Sequence, residues 1–378
     1  MQTISKIASA AALAAAAGTV FAAPAHAATQ HHGHTRAGAV FVQNNSTSGN
    51  SVIAYDRSAN GSLTEAGSYP TGGKGGQLSG SVADHLSSEG SVAYNARAHL
   101  LYTVNAGSDT VTVFSVWGDR LTRLQVVPTG GDFPVSIAVH GSQVFVLNAR
   151  DGGTVSGFVQ FGGVLIRIPF WQRHLNLNTS APGQPNEFVS TPGQIGFTPD
   201  GRQLLISTKN GGNSVLSFAV GPFGPAATPT TTSLPGTVPF GFDFDAHGHL
   251  VITEAATNKV ATFTVNRNGS LTALDSAATG QTATCWLVTS HNTAYASNAG
   301  SGTVSIYRTD RAGMLTSKGT AATNPGTVDA ATSHGFLYVE TGVGGVVDSY
   351  RIKPGGGLAM TGSVTIPNGI GAEGIVAS

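Results

Sequence analysis

Apolar and polar residues alternate in short runs along most of the chain, and Gly, Asn, Asp and Ser interrupt the runs. That is the pattern of half-buried strands joined by tight turns. Past the first residues no stretch sustains a 3.6-residue period, so helix content is expected to be low. One motif repeats: Val, two residues, then an aromatic. It occurs as Val52/Tyr55, Val111/Phe114, Val155/Phe158, Val215/Phe218, Val260/Phe263, Val304/Tyr307 and Val347/Tyr350, with aromatic spacings of 59, 44, 60, 45, 44 and 43 residues. A period near 44 with two insertions is that of a four-stranded propeller blade.

The second unit shows the parse: strands over 91–94, 100–104, 110–116 and 121–127, separated by turn residues. Several fourth strands start from a Gly-x-Leu-Thr turn, as at Gly61, Gly269 and Gly313. Six first strands are visible. The N-terminal unit, 39–69, lacks one, and residues 374–377 look like a first strand with nothing after it. The expectation is an all-β fold: a seven-bladed β-propeller of four-stranded antiparallel blades, closed by pairing the C-terminal strand with the N-terminal blade. The domain assignment is a signal peptide over 1–27, a disordered tail over 28–37 and one propeller domain over 38–378.

First strands line a propeller's channel with alternating side chains. Aligning them predicts an inter-blade column of Val92, Ile137, Ile195, Phe242, Leu287, Val328 and Ile375. The channel column is then Ala93, Ala138, Gly196, Asp243, Val288, Asp329 and Val376. Asp243 and Asp329 become two carboxylates in one narrow tube. They can take hydrogen bonds from neighbouring blades and waters, bind a cation, or be acids of raised pKa. The second strands end in Asn44, Asn105, Asn148, Thr208, Glu254, Asn298 and Thr341, a column that suits turn formation. Glu254 departs from it, and Lys209 departs from the small residues that follow.

Composition narrows the function. The 19 basic and 19 acidic residues balance, which excludes a basic nucleic-acid surface. The single cysteine, Cys285, excludes a disulfide framework and reads as an apolar filler. Lys6, an apolar stretch from Ile7 to Phe21 and Ala25-His26-Ala27 read as a secretory leader cleaved near Ala27, with no membrane span elsewhere. His31, His32 and His34 would follow the cleavage point in a tail too loose to fix a metal. No metal or cofactor is expected, and no nucleophile elbow, phosphate-binding loop or zinc-binding His pair is present.

The two insertions, 70–90 and 166–192, fall on the face of the fourth-to-first connections. They bring Lys74, Asp84, His85, Glu89, Trp171, Arg173, His174 and Glu187. Glu89, Glu254 and His85 are candidate bases, and Lys209 is a candidate for stabilising an oxyanion. Asp132, Phe133, Phe240, Trp286, Glu340, Glu373, Asp243 and Asp329 are candidate ligand contacts, aromatic faces beside carboxylates. Phe240 and Trp286 serve equally as an apolar plug.

Three stretches carry a family resemblance: Phe197-Thr198-Pro199-Asp200-Gly201-Arg202-Gln203-Leu204-Leu205, Leu101-Tyr102-Thr103-Val104-Asn105-Ala106-Gly107-Ser108 and Tyr295-Ala296-Ser297-Asn298-Ala299-Gly300-Ser301-Gly302. The chain resembles the bacterial seven-bladed lactonases, a group that takes in 6-phosphogluconolactonase-like and carboxymuconate-lactonising enzymes. The resemblance implies hydrolysis or formation of a lactone of a sugar acid or related carboxylate at the channel mouth. Where members often begin first strands with His or Arg-His, this chain has Thr191-Pro192-Gly193-Gln194-Ile195 and Val238-Pro239-Phe240-Gly241-Phe242. No catalytic residue carries over by motif. The alternative expectation is a non-catalytic secreted monomer that binds a small ligand, polysaccharide or protein through the same face.

Overall fold

The computed structural model describes residues 38–378; the expected leader, the tail and its histidines lie outside the described residues. Seven antiparallel sheets follow one another along the chain, each running from an inner strand outward. Their inner strands are Val92–Asn95, Pro134–His140, Gln194–Phe197, Pro239–Phe244, Thr284–Ser290, Thr327–Ser333 and, for the N-terminal blade, Ile375–Ala377. We number the blades from the N-terminus. Blade 1 is closed by the tail: Val40, Phe41 and Val42 pair with Ala377, Val376 and Ile375. Ser378 adds a backbone bond of 2.8 Å to the Ala39 carbonyl. The propeller and its one-plus-three closure are as the sequence predicts. The helices among the described residues are single turns, and none is long and apolar enough to cross a membrane.

The repeated aromatic explains the period. Each of the seven is buried on the third strand of its blade. In five blades the pairing to the fourth strand slips at or beside it, a β-bulge that bends the outer strand. Where it is Tyr, its hydroxyl donates to the last turn of the preceding blade's outer strand: Tyr55 to the Thr365 carbonyl (2.9 Å), Tyr307 to Ala278 (2.8 Å) and Tyr350 to Ala322 (2.6 Å). The ring fills the blade interface and the hydroxyl ties two blades.

The Asn column has the turn-forming role expected of it. Asn148 Nδ2 reaches the Thr154 carbonyl and hydroxyl and the Ser156 hydroxyl, and Asn298 does the same with Thr303 and Ser305. The channel alignment needs one correction. Blades 3, 5, 6 and 7 share a bulge near the start of the inner strand, and the pairs Ile137↔Val146, Phe242↔Ile252, Leu287↔Ala296 and Ala330↔Val339 are equivalent. Ala330, not Val328, therefore belongs to the inter-blade column. Asp329 lies level with Gly241 and Trp286, two residues nearer the mouth than Asp243.

The insertions also resolve differently from expectation. Arg173–His174 pairs with the third strand of blade 3 and completes its outer edge, so His174 is an edge residue. Trp171 turns inward, stacked on Phe145 at 5.7 Å between ring centroids.

Candidate functional site

Residues 78–90 form a plug across the mouth rather than a free loop. Glu89 N–H donates to the Gly193 carbonyl of blade 4, and Ser88 Oγ to the Val135 carbonyl of blade 3. Ser136 Oγ donates to the Glu89 carbonyl, and Trp286 Nε1 of blade 6 to the Ser88 carbonyl at 2.6 Å. The close approach requires glycines: a Cβ on Gly241 would lie 1.8 Å from Glu89 Oε2, and one on Gly342 1.6 Å from the Ala83 carbonyl. Asp84 shapes the plug, accepting the Leu86 and Ser88 N–H groups at 2.6 and 2.8 Å.

Between the plug, the second insertion and blades 4–6 lies a cavity of about 230 Å³. Phe240 and Trp286, edge to face at 5.1 Å, form one wall with Cys285 and the small side chains of Ala255, Ala283 and Ala299. Phe188 and Val189 come from the second insertion, and Asp84, Ser87 and Lys209 supply the polar groups.

Lys209 is nearly fully buried. Its Nζ donates to the Ser87 carbonyl (2.6 Å) and hydroxyl (3.0 Å), the Phe188 carbonyl and the Thr191 hydroxyl (3.0 Å). It also lies 5.2 Å from the Phe240 ring centroid. Four oxygens thus claim three ammonium protons, and they bind blade 4 to both insertions. Its backbone is in the left-handed region, φ 44°, an unusual state for a residue with a side chain. Burial pulls its pKa down to about 7, against the raising influence of Asp84. Burial pushes Asp84 up to about 7. The Cys285 thiol is pushed up to about 12, again by burial, and carries no thiolate character.

A second group of carboxyls gathers around Ser88–Ser91 and the inner ends of blades 7 and 1, and none of them lines the cavity. Glu89 Oε2 accepts the Leu287 N–H at 3.0 Å, and Glu373 accepts the Ser91 N–H at 3.3 Å. Asp329 accepts the Ala330 N–H at 2.7 Å. Glu340 is fully buried, and its carboxyl oxygens have no well-formed hydrogen bond beyond an approach by the Gly374 backbone. Burial, then mutual repulsion, raises the pKa of Glu89, Glu340 and Glu373 well above the ordinary range, and burial raises Asp329 to about 6. Among the described residues no three His, Cys, Asp or Glu side chains are arranged to hold a metal ion.

Of the residues singled out in the sequence, the fold brings Lys209, Phe240 and Trp286 to the cavity, and Glu89, Glu340, Glu373 and Asp329 to the neighbouring carboxyl group. Asp243 sits deeper, bonded to the Thr289 N–H and hydroxyl at 2.8 and 2.9 Å as a tie between blades 5 and 6. The others lie apart. His85 packs on Gly371, its ring within 2.3 Å of where a Cβ would stand. Glu254 turns back on its own strand end, within 3.4 Å of the Thr257 hydroxyl. Asp132 and Phe133 cluster with Arg150, whose guanidinium covers the Phe133 ring at 4.4 Å. Sequence reasoning missed the Arg150–Glu187 pair: a 2.7 Å ion pair in which Glu187 also accepts the Ser79 N–H, locking the second insertion to the first. It also left Asp84 without a role, although an Asp followed two and four residues on by the N–H groups it caps is a known turn signal.

Seven four-stranded blades in a ring with a ligand-sized pocket at the fourth-to-first face define a seven-bladed β-propeller. The profile of the family described as "Lactonase, 7-bladed beta-propeller" matches residues 22–158 and 172–288, and the chain belongs to that family. No curated protein sequence matches the chain significantly. Solved structures do. The periplasmic gluconolactonase of Pseudomonas aeruginosa is 18% identical with TM-score 0.70, covering 90% of this chain and 98% of that one. A candidate 6-phosphogluconolactonase of Bacteroides fragilis is 19% identical with TM-score 0.68, covering 90% and 97%. The virginiamycin B lyase of Staphylococcus aureus, 12% identical with TM-score 0.53 over 75% and 86%, has a similar fold under a different reaction name. At these identities the likeness is one of fold.

Proposed function

We propose that the protein is an exported lactonase-like hydrolase that opens a compact, unphosphorylated lactone of a sugar acid or related carboxylate in the mouth cavity. One observation carries this reading: in a lactonase-family propeller, a carboxyl group, Asp84, and an amino group, Lys209, are set into the wall of a mostly apolar, aromatic pocket. The substrate ring stacks on Phe240 and Trp286. Asp84, with a pKa near 7, takes the proton of a water as its oxygen bonds to the lactone carbonyl carbon. When the ring C–O bond breaks, Asp84 returns that proton to the departing alkoxide. Lys209, its protons committed, acts through its positive field on the developing oxyanion rather than by a direct hydrogen bond. A phosphate is disfavoured because the only cation lining the cavity has no donor to spare. The leader read from residues 1–27 supports export.

The committed state of Lys209 and the apolar lining also support the second reading, a binding propeller without catalysis. A lactone panel separates the two. The proposal expects hydrolysis of unphosphorylated lactones in preference to phosphorylated ones. Asp84→Asn, isosteric, should lower kcat by about 100-fold or more, and Phe240→Ala should mainly raise KM. Thermal melts confirm that each variant is folded. Absence of hydrolysis on every lactone, or full activity in folded Asp84→Asn, rejects the catalytic reading.

A further inference from the structure

The face opposite the mouth carries an apolar feature that the lactonase reading does not use. At the turn between third and fourth strands, blades 2, 3 and 4 each expose one large aromatic. Trp117 ends the strand Thr110–Trp117 and is 82% exposed, Phe161 ends Thr154–Phe161 and is 77% exposed, and Phe223 lies between Ser214–Gly221 and Gly224–Pro225 and is 86% exposed. The same turns in the other blades carry no aromatic: Ser58-Ala59-Asn60-Gly61, Asn266-Arg267-Asn268-Gly269, Asp310-Arg311-Ala312-Gly313, followed by an exposed Met314, and Lys353-Pro354-Gly355-Gly356. The aromatics therefore form one arc on consecutive blades rather than scattered exposure, which would need no explanation.

The three turns are joined laterally. Gln125 of blade 2 exchanges two hydrogen bonds with the backbone of Leu165 in blade 3, and Trp171 of blade 3 donates to the Phe223 carbonyl of blade 4 at 2.6 Å. Leu124, Val164 and Ile166, all exposed, extend the apolar strip along the outer edges of blades 2 and 3. The charge that goes with it is basic. Arg97 and Arg120, on turns of the same face, and Arg123 on the adjoining edge are exposed, and Arg123 donates to the Pro70 carbonyl at 3.1 Å. On blade 4, Arg202 is accompanied by Asp200. Arg267, Arg311 and Lys353 on the other turns of this face are exposed as well, so the basic charge extends round it beyond the arc.

We infer that this arc is a docking surface for an anionic lipid bilayer. Single aromatic tips on a curved rim, backed by guanidinium groups, suit a deformable interface that takes up each ring at headgroup depth. A polysaccharide platform would surround its rings with hydrogen-bonding side chains, whereas of the six residues flanking these tips, Val116, Gly118, Gln160, Gly162, Pro222 and Gly224, one has such a side chain. The orientation follows from the strand order: with the third-to-fourth turns on the bilayer, the mouth cavity opens away from it, so docking leaves the pocket free.

Trp117 supplies an intrinsic probe, because the other two tryptophans, Trp171 and Trp286, are each only 5% exposed. The full chain should co-sediment with vesicles of phosphatidylcholine and phosphatidylglycerol, more weakly as salt rises. Its tryptophan emission should be quenched by bromine-labelled acyl chains. The triple variant Trp117→Ser, Phe161→Ser, Phe223→Ser should keep its melting temperature and bind about tenfold or more weakly. Arg97→Gln with Arg120→Gln should remove the preference for the anionic vesicles. Failure of the wild-type chain to bind either vesicle, or equal binding by the triple variant, overturns the inference. So does a wild-type dimer that the triple variant dissolves, or aromatic-dependent retention on a polysaccharide matrix.

Discussion

Glu340 is fully buried, its carboxyl oxygens have no well-formed hydrogen bond beyond an approach by the Gly374 backbone, and Asp329 and Asp84 repel it. A carboxyl in that state is more stable protonated, so the native protein holds protons that the unfolded chain releases. The sign is opposite to that of salt-bridged carboxylates. Asp84 and Asp329, raised to about 7 and about 6, contribute stability that is full below pH 3.8 and fades as the pH rises through those values. Glu89, Glu340 and Glu373 act in the same direction over higher pH. Asp200 and Asp245, whose pKa values are lowered, act only as the pH falls below 3.8. Lys209, lowered to about 7, opposes the trend only on the alkaline side of that value, and His85, lowered by burial, is a single opposing group below pH 6.5 against these five raised carboxyls. The melting temperature should accordingly fall between pH 5 and pH 7. Glu340→Gln, which cannot ionise, should melt roughly 2 °C or more above wild type at pH 8 and near it at pH 5. A melting temperature that rises over this range contradicts the assignment. Glu254 is the counter-case: its carboxyl faces its own turn, so Glu254→Gln should leave lactone hydrolysis unchanged within about twofold.

At the scale of elements, the strands were legible because each carries its own instructions: the Val-x-x-aromatic motif, the Asn at the second strand's end and the Gly-x-Leu-Thr turn recur with the blade. Asn148→Ala would leave buried hydroxyls of Thr154 and Ser156 without their donor and should cost about 1–3 kcal/mol in a denaturant titration. The plug was not legible, since its contacts are made across the ring. Glu89 meets Leu287, Trp286 meets Ser88 and Lys209 meets Ser87 only once seven blades have closed. The misplacement of Asp329 has a different cause. Val328 and Ala330 are both apolar and two residues apart, so alternation alone did not decide which belongs to the inter-blade column, and the alignment slipped by two in blade 7. Lys209→Met keeps the stem and removes the four donated bonds, so amide exchange at Leu86–Glu89 should accelerate by about tenfold or more while the outer strands stay protected.

For the molecule as a whole, the missing first strand at one end and the surplus one at the other were the readable signs of closure. Ile375 is 3% exposed in the strand that completes blade 1, and Ile375→Ala should cost about 2–5 kcal/mol. What the sequence left open is which part of the mouth is a site, because thirteen residues of plug divide it into a cavity and a carboxyl-rich interior. The central claim is that the cavity beside Phe240, Trp286 and Asp84 receives the lactone. A crystal structure with a cyclic amide analogue, which the reaction cannot open, tests it most directly. The ring should lie against Phe240 and Trp286 with its carbonyl toward Asp84 and Lys209. An analogue bound among Glu89, Glu340 and Glu373, or in an inter-blade cleft of the opposite face, would contradict it.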